Sequence, residues 1–157
     1  MKLKTQIAGI ILALSASTSL LCSADAPQRV TGPTIVGVWQ VVRHGVDCNT
    51  GQELSSFPAL VTFHKDGTMT ADTSAFEGTT NEYGSWQREQ GSQNYSFRDT
   101  FFSIDENGAL AITGIITANV HLTDANSWTY SATIEIFDAD GNLIFTACGR
   151  GTATRFE

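Results

Sequence analysis

From Ile35 onward the apolar residues do not recur with a helical period. They fall instead in runs rich in Val, Ile, Thr, Phe and Tyr, with polar residues at alternate positions and turn-forming residues between runs. Eight such runs cover 35–46, 58–65, 68–74, 83–90, 93–104, 110–123, 127–137 and 143–156. Consecutive strands with mostly short connections predict an all-β, antiparallel, up-and-down meander.

Several connections carry turn chemistry. Lys65-Asp66-Gly67-Thr68 has Asp-Gly at its centre, a two-residue hairpin signal. Gln90-Gly91-Ser92-Gln93 has Gly first, which suits a type II′ turn pairing Gln90 with Gln93. That register sets Trp86 opposite Phe97, Arg88 opposite Tyr95 and Gly84 opposite Asp99, and gathers Trp86, Tyr95, Phe97 and Phe101 on one inward face. The stretches 105–108, 124–127 and 138–142 supply the remaining turns. Asp138-Ala139-Asp140-Gly141-Asn142 resembles the start of a calcium loop but lacks the downstream Glu of one, so a plain hairpin turn is expected. Asn94-Tyr95-Ser96 matches a glycosylation sequon but falls inside a strand.

The first residues do not belong to this pattern. Lys2 and Lys4 precede a short apolar run, and Cys22-Ser23-Ala24 forms a small-residue cleavage site. This predicts a signal peptide over 1–24, cut after Ala24 or Ala26, an N-terminal arm over 25–34, and one barrel domain over 35–157. A lipoprotein anchored at Cys22 is the alternative, with bulky Leu20 and Leu21 against it. The expected location is therefore outside the cytoplasm, periplasmic or secreted. Nothing else approaches the ~18 apolar residues of a membrane helix.

Removal of the leader changes the charge and the cysteines. The mature chain loses two of nine basic residues and none of 16 acidic ones, so its net charge is 7 − 16 = −9. Such an acidic chain, without a basic cluster, argues against nucleic acid and anionic membranes as partners. Of three cysteines, Cys48 and Cys148 remain, and a disulfide between them is expected in an exported protein. Two separate buried thiols are the alternative, and no Cys-x-x-Cys redox pair is present.

Gly37-Val38-Trp39 on the first strand, with Arg155 ending the eighth, resembles the lipocalin-like barrels of the calycin superfamily. The resemblance implies a closed eight-stranded barrel in which the first and last strands pair and Arg155 packs over Trp39 at the closed end. The last inter-hairpin turn reads Thr123-Asp124-Ala125 where many lipocalins carry Thr-Asp-Tyr, and no helix follows the eighth strand. The stretches "FPALVTFHKDGTM" and "YGSWQREQGSQNYSF" are also similar to segments of exported bacterial proteins without an assigned function. Direct pairing of Cys48 with Cys148 would set Val41 opposite Arg155 and Trp39 opposite Glu157, with Arg155 a diagonal neighbour of Trp39. Arg155, Ala153, Gly151 and Gly149 then face inward.

Alternation turns Val41, Trp86, Phe97, Phe101, Ile112, Ile116, Val120, Tyr130, Ala132, Ile134 and Ile136 into the barrel. It also turns in Arg43, Tyr95 and Asp99, with Arg88 a further candidate. A buried Arg43 and Asp99 require a salt bridge, trapped water or a ligand. Candidate ligand-binding residues are thus Arg43, Trp86, Tyr95, Phe97, Asp99, Phe101 and Tyr130. The long connections 47–57 and 74–82 share one rim, where a ligand entrance or a protein contact is expected. His44, His64 and His121 show no zinc spacing, and neither a nucleophile elbow nor a phosphate loop occurs, so no cofactor or metal is expected. Three functions fit. They are a barrel binding a small, largely apolar molecule, a barrel-type cyclase or isomerase using Asp99 or Tyr95, and a calycin-type protease inhibitor acting through its rim loops or arm.

Overall fold

The computed structural model describes residues 33–73 and 78–157. The expected signal peptide over 1–24, Cys22, residues 25–32 of the expected arm and residues 74–77 of the second rim loop lie outside the described residues.

Eight antiparallel strands close into an up-and-down barrel in sequence order, consistent with a calycin-like fold. They are β1 (Gly37–Val46), β2 (Glu53–Phe63), β3 (Thr68–Thr73), β4 (Glu82–Arg88), β5 (Asn94–Ile104), β6 (Leu110–Leu122), β7 (Ser127–Asp138) and β8 (Leu143–Arg155). The described residues contain no helix, and so none long and apolar enough to cross a membrane.

The closed end is a plug of large side chains. Trp39, Phe63, Met69, Leu122 and Trp128 are each at most 1% exposed. Their rings meet edge to face, with Trp39 and Trp128 centroids 5.9 Å apart and Phe63 and Trp128 6.0 Å apart, an arrangement that adds to simple area burial. Ile35, fully buried just before β1, accepts the Trp39 indole N–H on its carbonyl at 2.7 Å. Arg155 lies over Trp39, its guanidinium carbon 4.1 Å from the ring centroid. The guanidinium also donates to the carbonyls of Ala125 (3.0 Å), Val36 (3.0 Å) and Thr34 (2.8 Å), tying the chain entry, the last strand and the β6–β7 turn together. A Cβ on Gly37 would collide with Arg155 Nη1, which explains why Gly precedes Trp39 by two residues in this corner.

The turns differ in type from expectation while leaving the register intact. His64 N–H donates to the Thr68 carbonyl, so the β2–β3 loop has three residues and ends on a left-handed Gly67 (φ 87°), not a two-residue Asp-Gly turn. The turns at 106–108 and 139–141 are built the same way, closing on Gly108 and Gly141. In each, the preceding aspartate, Asp105 or Asp138, accepts backbone N–H groups two and four residues on. The acidic 138–142 stretch thus spends its first carboxylate on its own backbone. Between β4 and β5, Glu89 pairs with Asn94 around a four-residue loop with Gly91 at φ 73°, in place of the expected type II′ turn.

Two further expectations are corrected. β2 starts at Glu53, five residues before the predicted Pro58, so the first rim loop shortens to 47–52. Pro58 is tolerated because it pairs only with Val42 of β1, while β3 pairing begins at Ala59 and needs no N–H from it. The β1–β8 register is Trp39 opposite Arg155 and Val46 opposite Cys148, two residues from the one expected from direct cysteine pairing.

The disulfide itself is present, with Cys48 and Cys148 Cα atoms 5.2 Å apart. Cys48 lies beyond the end of β1 in a turn closed by Gly51 N–H on the Asp47 carbonyl, and reaches Cys148 from there. It closes a loop spanning 100 residues, which should stabilise the fold by roughly 2–5 kcal/mol. Urea unfolding with and without reductant should therefore show a markedly lower midpoint for the reduced protein. A coincident pair of curves would mean that the rest of the barrel restrains these ends without it.

Candidate functional site

Above the aromatic plug the packing opens into a cavity of about 310 Å³ in the half of the barrel that carries the disulfide. Its walls come from strands around the barrel. β5 contributes Phe97 and Phe101, β6 Ile116, β7 Ala132, Ile134 and Ile136, and β8 Phe145, Ala147 and Gly149. β1 contributes Arg43, His44, Gly45 and Val46, β2 Leu54, Ser55 and Phe57, β3 Thr73 and β4 Glu82, with Tyr130, Cys148 and residues 79–80 completing the described lining. The short β3 and β4 pair only from Thr68–Ser85 to Ala71–Glu82, so past Glu82 the chain at 78–80 leans on β5 instead. Thr80 N–H donates to the Phe102 carbonyl at 2.8 Å, and Ile104 N–H to the Gly78 carbonyl at 3.0 Å.

Small residues on β8 make this space. Gly151 faces Tyr130, and a Cβ there would run into the tyrosine ring and the Val42 carbonyl. Gly114 plays the same part beneath the ring of Phe101 on its partner strand. Rings thus occupy the space that a Cβ would otherwise fill. Phe145 and Leu54 line the cavity and are 54% and 69% exposed, so the space reaches solvent past apolar side chains.

The inner end of the cavity is polar. Arg43 Nη1 and Nη2 donate to Glu82 Oε1 and Oε2 at 2.6 and 2.8 Å, a bidentate pair with both residues buried. Burial disfavours the charge on Arg43, but Glu82 outweighs it and raises the guanidinium pKa above its ordinary value. Asp99, 2% exposed, lies beside them, directly opposite Gly84 of β4. Neither of its oxygens receives a hydrogen bond from a protein donor among the described residues. Burial, and next the charge of Glu82, push its pKa up to about 8, against the pull of Arg43. Two carboxyl groups in contact can hydrogen-bond only by sharing a proton, and the protonated Asp99 meets that condition toward Glu82. Tyr130 completes the group, its phenol pushed up to about 12 by burial.

Of the salt bridge, trapped water or ligand expected for an inward Arg43 and Asp99, Arg43 makes a salt bridge, but to Glu82, with Asp99 as the third member of the cluster. The sequence places Glu82 at the end of a loop and does not mark it as a site residue. Glu82 shares the parity of Gly84 and Trp86, which marks it as inward once the strand is extended by one residue. Of the sequence-derived candidates, Arg43, Phe97, Phe101 and Tyr130 line the cavity and Asp99 adjoins it. Trp86 and Tyr95 are elsewhere. Their rings pack on each other at 5.8 Å, Trp86 against Phe63 at 6.1 Å, within the closed-end plug. Arg88 stays at the closed-end margin, 5.4 Å from the Tyr95 ring centroid and donating to the Ser92 carbonyl.

No protein-family model and no curated protein matches this chain. The barrel is compatible with a lipocalin-like fold on its architecture alone. The Arg155–Trp39 corner has the geometry that the resemblance implied, and the histidines remain apart from one another. His44 Nδ1 lies 3.0 Å from Glu53 Oε2, and His121 Nδ1 lies 2.8 Å from Asn94 Oδ1. Among the described residues no group of three or more His, Cys, Asp or Glu is placed to hold a metal.

Proposed function

We propose that the protein is an exported barrel that binds a small, largely apolar molecule in its interior. The observation that carries this reading is the cavity of about 310 Å³ with aliphatic and aromatic walls, an apolar mouth at Leu54 and Phe145, and one polar cluster at its inner end. A concave apolar space with a few convergent polar groups is the usual form of a small-molecule site, and this volume lies at the lower end of the usual range. Export is supported by the leader-like N-terminus and by the Cys48–Cys148 disulfide, a bond that forms and persists in oxidising compartments. Binding is favoured over turnover because neither Asp99 nor Tyr95, the candidate acid–base groups, contributes to the lining.

The test is native mass spectrometry of the protein purified from the periplasm or medium. The expected result is a folded species that carries added mass, lost on denaturation, or that takes up an apolar probe supplied in excess. A bare protein that takes up no such probe would overturn the reading.

A further inference from the structure

The polar end of the cavity has a charge balance that constrains what can approach it. Both terminal nitrogens of Arg43, which with His44 supplies the basic side chains of the described lining, are committed to Glu82 at 2.6 and 2.8 Å. Asp99 adds a second carboxyl group next to that pair. The cluster therefore sums to zero with Asp99 protonated and to −1 with it ionised, and in neither state is it positive. An anionic head group brought here would be desolvated beside Glu82 with no unpaired cation to receive it among the described residues of the cluster, and such a burial is strongly disfavoured. Tyr130 offers something different. Its ring spans the plug and the cavity, with centroids 5.7 Å from Trp128 and 6.3 Å from Phe97. Among the described residues its hydroxyl makes no protein hydrogen bond, yet it is not among the fully occluded polar atoms. It remains a neutral phenol that can both donate and accept at the cavity's inner end.

We infer that the cavity selects an apolar molecule with an uncharged, hydrogen-bonding head group, such as a hydroxyl or carbonyl, seated inward on Tyr130, and that it refuses the corresponding carboxylate. This rests on the reading of the cavity as a binding site. The refusal comes from the Arg43–Glu82–Asp99 cluster, and the hydrogen bond to the head group comes from Tyr130.

The experiment compares 1-octanol with octanoate, which share a chain and differ in head-group charge. Binding to the intact, oxidised protein is measured by isothermal titration at neutral pH, for wild type and for Tyr130→Phe. The expected result is octanol bound at least about tenfold more tightly than octanoate, equivalent to about 1.4 kcal/mol. Tyr130→Phe should weaken octanol severalfold and leave octanoate unchanged. Octanoate binding as tightly as octanol would overturn the charge selection while leaving the cavity a binding site. Unchanged octanol affinity in a folded Tyr130→Phe variant would overturn the placement of the head group. Failure of both probes to bind would overturn the inference together with the binding reading beneath it.

Discussion

Glu82→Ala should destabilise the barrel by about 3–5 kcal/mol, the range seen when one partner of a buried ion pair is removed. Arg43 is 7% exposed and would keep its charge with no carboxylate within bidentate reach. Asp99 could answer only by ionising against its own burial, the part of the cost that remains once the Glu82 charge is gone. The loss should be much smaller in a double variant, Arg43→Met with Glu82→Leu, which removes both charges and retains volume. Urea unfolding of Arg43→Met, Glu82→Leu and the double closes the cycle, and the coupling should be strongly non-additive. A single-variant loss near 1 kcal/mol would show that water from the cavity already solvates Arg43. That outcome would weaken the charge-balance argument for ligand selection, since a solvated guanidinium could receive an anion.

Part of this cluster is legible in the sequence and part is not. Side-chain alternation turns Arg43 and Asp99 inward, because Val41 and Phe97, two positions away on each strand, are unambiguous core residues. Their partner is hidden because Gly78-Thr79-Thr80-Asn81 reads as loop right up to Glu82. Only the strand's hydrogen bonding, not its composition, carries β4 back to that residue. The β4–β5 register is legible even though the turn is not. A two-residue turn centred on Gly91-Ser92 and the observed four-residue loop between Glu89 and Asn94 place the same residues opposite, Trp86 with Phe97.

The β1–β8 register is less forgiving. Cysteines need not be directly opposed to bond, and Cys48 reaches Cys148 from a turn beyond the last paired residue, Val46. A shift of two residues preserves which side chains face in, so the inward set survives the error. The cavity itself is not legible in any single strand. It arises where Gly149 and Gly151 of β8 face β7, and where β3 and β4 stop short of the height reached by β5 to β8.

The second large effect concerns pH. Asp99 holds its proton with a pKa near 8 in the folded barrel, against 3.8 for a free side chain, because burial and Glu82 both oppose its ionisation. Between those values the folded state binds more protons than the unfolded chain, so unfolding free energy falls as pH rises. Asp99 thus favours folding most below pH 4, loses that contribution progressively up to about pH 8, and adds no further slope above it. The slope can reach about 1.4 kcal/mol per pH unit.

The opposing carboxylates act elsewhere on the scale. Asp47, Asp66, Glu89, Asp105 and Asp138 are held below their ordinary range by hydrogen bonds within their turns. Their contributions are present above that range and fade only in acid. Tyr130, the other titrating neighbour of the cluster, ionises near pH 12. Urea midpoints for the wild type should therefore decline from pH 5 to pH 8, while Asp99→Asn, uncharged throughout, should flatten that decline and exceed the wild type at pH 8. Comparing the two proteins at each pH also cancels the histidines, which both share. An equal decline in the variant would show that Asp99 is not the residue that carries the cluster's proton. The neutral cavity end would then depend on some other group, and octanoate binding would have to be measured again across the same pH range.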